Sequence, residues 1–147
     1  MGRTFVGRIV FASMCDKLVD ITPELEIVPQ LATEWNWSAD GKYLAFAAKR
    51  GPRDVIVIVD VKRNHEVKQI DVKLNGITTP SWSPDGEQLV FTGYDGGITD
   101  LFIVNRDGSG LKRLTEDKYA DLHPVWSPDG KTIAFATDRG PKTDFRT

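Results

Sequence analysis

One cysteine, Cys15, is all the chain has, so no disulfide can form within it and no multi-cysteine metal site can be assembled. Its environment in sequence holds no His or Asp motif, and Cys15 reads as a small, partly buried side chain. Long apolar runs are missing too. The most apolar run, Val55 to Val59, is five residues long, against the roughly 20 that a membrane helix needs. Charge of one sign is not in excess: 19 Lys and Arg stand against 21 Asp and Glu, which argues against nucleic acid or an anionic membrane as the main partner. Residues 1–15 carry Arg3 and Arg8 without an apolar stretch of signal-peptide length, which places the chain, as it stands, in the cytoplasm. Histidine is scarce as well, with only His65 and His123. No metal-ligand spacing, Gly-x-Ser-x-Gly elbow or cofactor loop is found, so neither a metal nor a cofactor is expected.

What the chain has is a repeated phrase. WSADGKYLAF begins at Trp37, WSPDGEQLVF at Trp82 and WSPDGKTIAF at Trp126, at spacings of 45 and 44 residues. A period of this size with a tryptophan, a tight turn and short apolar strands is the signature of four-stranded antiparallel β-propeller blades. Within the phrase, Pro presets φ for the first corner, Asp bonds its own backbone and Gly accepts the positive φ that closes the turn. Asp40-Gly41, Asp85-Gly86 and Asp129-Gly130 are thereby explained as turns, with no acid–base role. Trp37, Trp82 and Trp126 read as packing residues in the core or between blades.

Strands are expected on either side. Second strands run over residues 42–46, 88–91 and 132–135. Third strands cover 54–60 and 100–104, the former an unbroken Val/Ile run suited to burial on both faces. Outer fourth strands cover 65–72 and 111–115, the latter entered through the hairpin turn at 105–110.

The phrases HPVWSPDGKTIAFATDRG and DLFIVNRDGSGLKRLT resemble the TolB-like, WD-repeat-like β-propeller family over residues 34–147. The blades divide as 34–78, 79–122 and a partial 123–147. Such propellers usually have six or more blades. The resemblance therefore implies an all-β fold of about three four-stranded antiparallel blades, completed to a six-bladed ring by a homodimer. Stacked blades leave apolar lateral faces, which is the physical reason to expect a second copy.

Residues 7–46 are similar to a different family, the oligopeptide- and dipeptide-binding components of ABC importers. The similarity runs from Asp16-Lys17-Leu18-Val19-Asp20 through Val28-Pro29-Gln30 to the Trp37-Ser38-Ala39-Asp40-Gly41 turn that both families share. It implies a chimera, natural or made in the laboratory. Residues 1–33 are expected to supply strands at 8–12, 17–21 and 25–28 that complete the last blade, within one chain or across a seam between two. The unpaired edge of that blade invites such pairing.

Catalytic chemistry has few candidates. His65 begins an outer strand and reads as solvated. His123 precedes Pro124 and Trp126 at the start of an inner strand. In a propeller, the loops entering the first strand and leaving the second gather around the axial opening. That geometry assembles Tyr94, Asp95, Tyr119, Asp121, His123, Arg50, Arg53 and Arg139 as a candidate ligand rim, to be weighed against a solvated charged surface. The resulting expectation is a non-enzymatic scaffold that self-assembles and binds proteins or a small ligand. Three alternatives stay open: a module associated with a peptidase or hydrolase, a periplasmic solute or peptide binder, and a recombination product without selected function. The resembled families are mostly periplasmic.

Overall fold

The computed structural model describes residues 19–21, 27–29, 35–63 and 65–140, and every regular element in them is a strand. Twelve strands follow in order: β1 (Val19–Ile21), β2 (Ile27–Pro29), β3 (Trp35–Trp37), β4 (Tyr43–Arg50), β5 (Arg53–Asp60), β6 (His65–Ile70), β7 (Gly76–Trp82), β8 (Gln88–Asp95), β9 (Ile98–Asn105), β10 (Lys112–Arg113), β11 (Asp121–Trp126) and β12 (Ile133–Thr137). No helix among the described residues is long and apolar enough to cross a membrane.

Each repeat makes one antiparallel sheet in simple meander order. Blade 1 is β3-β4-β5-β6, blade 2 is β7-β8-β9-β10, and blade 3 has β11-β12. The chain is thus a partial propeller with four-stranded blades. Of the expected N-terminal strands, the one at residues 8–12 lies outside the described residues. The other two correspond to β1 and β2, which pair in the register Val19↔Pro29 and Ile21↔Ile27 and form a two-stranded sheet of their own. Among the described residues neither joins β12 within this chain.

Side chains alternate between the two faces of every strand, and the burial follows that period of two. In blade 1, Ala45, Ile56 and Ile58 face blade 2 and join Trp82, Leu89, Phe91, Phe102 and Val104 in one core cluster. The opposite face carries Leu44, Phe46, Val55 and Val57, which are buried in a second cluster. Phe91 stacks on Phe102 with ring centroids 5.8 Å apart, and Gly93 leaves room for both Phe102 and Leu74. Where Ala would stand at 93, its Cβ would lie 2.5 Å from Leu74 Cδ1.

The three turns are near copies. Ser38, Ser83 and Ser127 each donate Oγ–H to the Oδ1 of Asp40, Asp85 and Asp129 at 2.6 Å. Each Asp also accepts the backbone N–H two residues on, from Lys42, Glu87 and Lys131 at 3.0, 3.0 and 3.1 Å. The serine oxygens accept the N–H of Tyr43, Gln88 and Thr132 at 2.9, 2.9 and 3.0 Å. Gly41, Gly86 and Gly130 close the turns at φ 64, 72 and 70°. The bonds from serine and backbone stabilise the charged form and hold all three carboxyls below their ordinary range.

Two details differ from expectation. The fourth strand of blade 2 is short, only Lys112–Arg113, because Gly110 turns the chain at φ 68° and Leu114 N–H goes to Leu101 O at 2.7 Å. The tryptophans are also not equivalent. Trp82 is 5% exposed and lies 6.3 Å from the Tyr43 ring of the preceding blade, whereas Trp37 is 41% exposed. Trp37 sits in the first blade, where no described blade precedes it, so it does not fill the packing role expected for it.

Candidate axial groove

The innermost strands of the three blades meet in a groove of about 390 Å³ lined by Trp35, Asn36, Thr79, Pro80, Ser81, His123, Pro124 and Val125. One short segment of each repeat contributes, from β3, β7 and β11. The register breaks at two of them: β7 slips against β8 between Thr78 and Ser81, and β11 against β12 between Leu122 and Val125. At each break a residue preceding proline adopts the left-handed region, Thr79 at φ 51° and His123 at φ 53°. A β-branched residue there is uncommon and costs about 1–2 kcal/mol. The following Pro80 and Pro124 have no N–H to give the sheet, so both strands suit an edge that faces the axis. The same backbone irregularity thus recurs at corresponding positions of β7 and β11, beside the axis.

Polar groups are distributed along the groove. Asn36 Oδ1 accepts the Trp82 N–H at 3.2 Å and ties blade 1 to blade 2. Thr79 Oγ1 donates to Thr92 Oγ1 at 3.1 Å. Trp35, Pro80, Pro124 and Val125 supply apolar surface, and Val125 is 58% exposed. Of the lining residues, only His123 can carry charge.

The rim expected from the sequence is divided by the structure. His123 lines the groove, and it alone of the eight candidates does so. Tyr119, Asp121 and Arg139 do come together, as a fastening at the end of blade 3. The buried Asp121 accepts from Arg139 Nη2 through Oδ2 at 3.0 Å, and its Oδ1 has no hydrogen-bond partner. Arg139 also bonds Asp117 and lies over the rings of Tyr119 and Phe135, at 5.6 and 5.9 Å. The Tyr119 N–H and then Arg139 hold the Asp117 carboxyl below its ordinary range. Arg50, Asp95 and Arg139 occupy the same repeat position, 13 residues after each tryptophan. Yet Arg50 bonds Glu66 at 3.2 Å and Arg53 bonds Asp71 at 3.5 Å, in both cases next to the outer part of blade 1. Tyr94 and Asp95 are exposed at the end of β8. The rim is therefore a set of ion pairs and solvated side chains, and the groove lies elsewhere.

Sequence reasoning missed Trp35, Asn36, Thr79 and Ser81. The available signal was the recurrence of Xaa-Pro before a tryptophan, Thr79-Pro80 and His123-Pro124, at a spacing of 44 residues. Proline in a strand implies an edge, and an innermost edge faces the axis.

Residues 26–145 match the TolB beta propeller domain family. The Tol-Pal system protein TolB of Anaeromyxobacter dehalogenans is 50% identical over 44 residues, 30% of this chain and 10% of that protein. An uncharacterized protein of Agrobacterium fabrum is 29% identical over 106 residues, 70% of this chain and 35% of its own length. Among solved structures, a TolB from Agrobacterium tumefaciens superposes with TM-score 0.65 at 25% identity, covering 86% of this chain and 56% of that one. TolB from Acinetobacter baumannii gives TM-score 0.60 at 26% identity, over 78% of this chain and 29% of that one. The chain thus spans only a part of each of these relatives. Peptidase propellers, including that of an acylaminoacyl peptidase at 17% identity and TM-score 0.57, share the fold. The match from residue 26 takes in about half of the segment that resembles importer components, residues 26–46 with the Trp37 turn. The comparisons give no support to the cytoplasmic location expected from the sequence.

Proposed function

We propose, from the premise that this chain belongs to the TolB beta propeller domain family, that it is a non-enzymatic binding scaffold whose axial groove receives an extended, uncharged protein segment. The observation that carries this reading is the groove itself. Three innermost strands present hydroxyl, amide and imidazole groups beside two prolines and a tryptophan, with no fixed charge. Such a lining satisfies backbone amides and apolar side chains, whereas a nucleic acid or acidic ligand would need cations. Relatives bear the name Tol-Pal system protein, which accords with work among protein partners.

Panning a random peptide library against the immobilised chain and titrating the selected peptides calorimetrically tests the reading. Saturable binding, weakened at least about tenfold by Ser81→Arg and unchanged by Arg53→Ala, is the expected result; a 1.4 kcal/mol loss corresponds to that factor. Peptides that bind equally to both variants would place the contact elsewhere. Steady turnover of peptide or ester substrates would instead favour the hydrolase alternative.

A second reading concerns self-association. The face of blade 3 turned away from blade 2 is open among the described residues, with Val125 58% exposed, while the outer face of blade 1 is buried. A six-bladed ring from two copies would need both outer faces free; here one is. The exposure of Val125 is what supports association through blade 3. A chimeric origin would have to rest on residues 7–25, the part of the importer-like segment outside the propeller match.

A further inference from the structure

Comparing blades 1 and 2 separates what the fold requires from what it leaves free. Val61 and Arg106 hold the same place, just after the third strand. Each gives its N–H to the residue before the second strand, to Lys42 O at 3.0 Å and to Glu87 O at 2.8 Å. The backbone is the same, and Val61 fills the position with a buried apolar side chain. Nothing in the turn calls for an arginine at 106. Tyr43 and Gln88 are likewise equivalent, paired with Asp60 and Asn105. Gln88 donates Nε2–H to Asn105 Oδ1 at 3.1 Å inside its own blade. The Tyr43 ring instead meets Trp82 across the seam, with Lys42 Nζ and Arg106 Cζ at 4.8 and 5.4 Å from its centroid.

Tyr43 and Arg106 line a cleft of about 230 Å³ between blades 1 and 2, whose other walls are Ile58, Val67, Lys68 and Asp107. Val67 and Lys68 are consecutive on β6 and would point to opposite faces of a regular strand. A bulge brings both to the cleft: Ile58 pairs with Lys68 and Val59 with Glu66, so Val67 is the extra residue, 48% exposed. The turn at 105–110 leans on the same strand, since a Cβ at Gly108 would lie 3.6 Å from Lys68 Cε and 3.7 Å from Ile70. Three apolar side chains thus stand beside two cations and one carboxylate. The Ser109 hydroxyl, the Ser109 N–H and the charge of Lys68 hold Asp107 below its ordinary range. Both bonds go to Oδ1, which among the described residues leaves Oδ2 open to a further donor. Arg106 pairs with Glu87 at 3.5 Å, an exposed contact that holds its guanidinium weakly.

We propose that this cleft receives the carboxyl-terminal residue of a polypeptide partner whose chain ends in an apolar side chain. The terminal carboxylate pairs with Lys68 and Arg106, the side chain lies against Tyr43, Ile58 and Val67, and the amide N–H of the same residue goes to Asp107. A carboxylate and an N–H carried on one Cα match a cation and a carboxylate carried on consecutive residues, Arg106 and Asp107. A fatty or aryl carboxylate has no N–H for the second of these, and an internal peptide segment brings no carboxylate for the first. The volume suits a single side chain. The cleft shares no lining residue with the axial groove, so this contact goes beyond the groove reading and does not depend on it.

NMR titration of the full chain tests this with the peptide N-acetyl-Gly-Gly-Leu, its carboxyl-terminal amide, and isocaproate, which keeps the leucine side chain and carboxylate without the amide. The free-acid peptide should bind saturably, at least about tenfold more tightly than either of the others, and should shift the Tyr43 ring and Val67 methyl signals. Its affinity should fall as salt rises. Lys68→Gln/Arg106→Gln should weaken it at least about tenfold, while Lys112→Gln, on the exposed end of blade 2, should leave it unchanged. Val67→Asp adds a repelling carboxylate without touching the Tyr43 clamp and serves should the double variant disturb the seam. No saturable binding of the free-acid peptide, or equal binding of the amide or of isocaproate, overturns the inference. Binding that survives both Lys68→Gln/Arg106→Gln and Val67→Asp overturns it too. If that binding is lost in Ser81→Arg instead, the peptide belongs to the axial groove, and the groove reading stands without this one.

Discussion

Phe46, Phe91 and Phe135 hold the same place in three copies of one phrase, and their surroundings differ because a residue's burial depends on what stacks against its blade. Phe91 has no exposed surface and stacks on Phe102 between blades 1 and 2, whereas Phe135 is 38% exposed under the Arg139 guanidinium. Phe91→Ala should therefore cost about 3–5 kcal/mol of stability, a transfer loss plus a cavity that the surrounding sheet cannot fill. Phe135→Ala, measured at concentrations where the chain is monomeric, should cost less than about 1 kcal/mol. Urea unfolding followed by tryptophan fluorescence compares them; equal losses would mean that blade 3 is as closely packed as blade 2. Gly93 offers a second check in the opposite direction. A methyl group there meets Leu74 Cδ1 and the Phe102 ring atoms Cδ2 and Cε2 at 2.7 Å or less, and Gly93→Ala should destabilise by about 1–3 kcal/mol through overpacking. A stability equal to that of the unmodified chain would show that the Phe91–Phe102 stack can shift.

Elements are where the sequence was most legible. Turn chemistry and the period of two marked β4, β5, β8, β9 and β12 to within a few residues, since Ser-Pro-Asp-Gly and Val/Ile alternation act through local sterics and hydrogen bonds. The groove was less legible because bulges at Thr79 and His123 arise from the packing of inner strands, and a lone Thr or His carries no sign of a positive φ. The expected rim went the same way. Arg50 sits at the repeat position of Arg139, but Glu66 captures it and Asp71 captures Arg53, and such pairings depend on residues 16 and 18 positions away. The three turns also give a pH dependence. Their aspartates are held below the ordinary 3.8 by the serine hydroxyl first and the backbone N–H second. A group with a depressed folded pKa contributes stability that is fully present above its unfolded value and is lost as pH falls through the folded one. Unfolding midpoints should hold steady from neutral pH down to about 5 and then drop below about 4. The triple variant Asp40→Asn/Asp85→Asn/Asp129→Asn should be less stable at pH 7 and show a shallower acid limb. An acid limb as steep as before would assign the dependence to Asp60, Asp107 and Asp117, whose carboxyls are also lowered.

A stack of blades gains stability from each neighbour, so the molecule as a whole should be graded along its length. Blade 2 is covered on both faces, by blade 1 through the Trp82–Phe91–Phe102 cluster and by β11, which lies against β7, β8 and β9. Among the described residues, blade 3 is covered on one face and has β12 as its last strand. Repeat physics made the stack readable from three tryptophans 45 and 44 residues apart, while the asymmetry of its two ends was not, because nothing in Phe46 or Phe135 says which face another segment occupies. Hydrogen exchange reads this gradient directly. Amides of Leu89 to Thr92 and Leu101 to Val104 should exchange only through global opening, at a rate independent of protein concentration. Amides of β12, Ile133 to Thr137, should exchange quickly in dilute solution and slow by at least about tenfold as concentration rises, since a second copy seated on blade 3 stabilises them by mass action. Protection of β12 that is already complete at the lowest concentration would mean that the strand is satisfied within one chain, and self-association through blade 3 would lose its support.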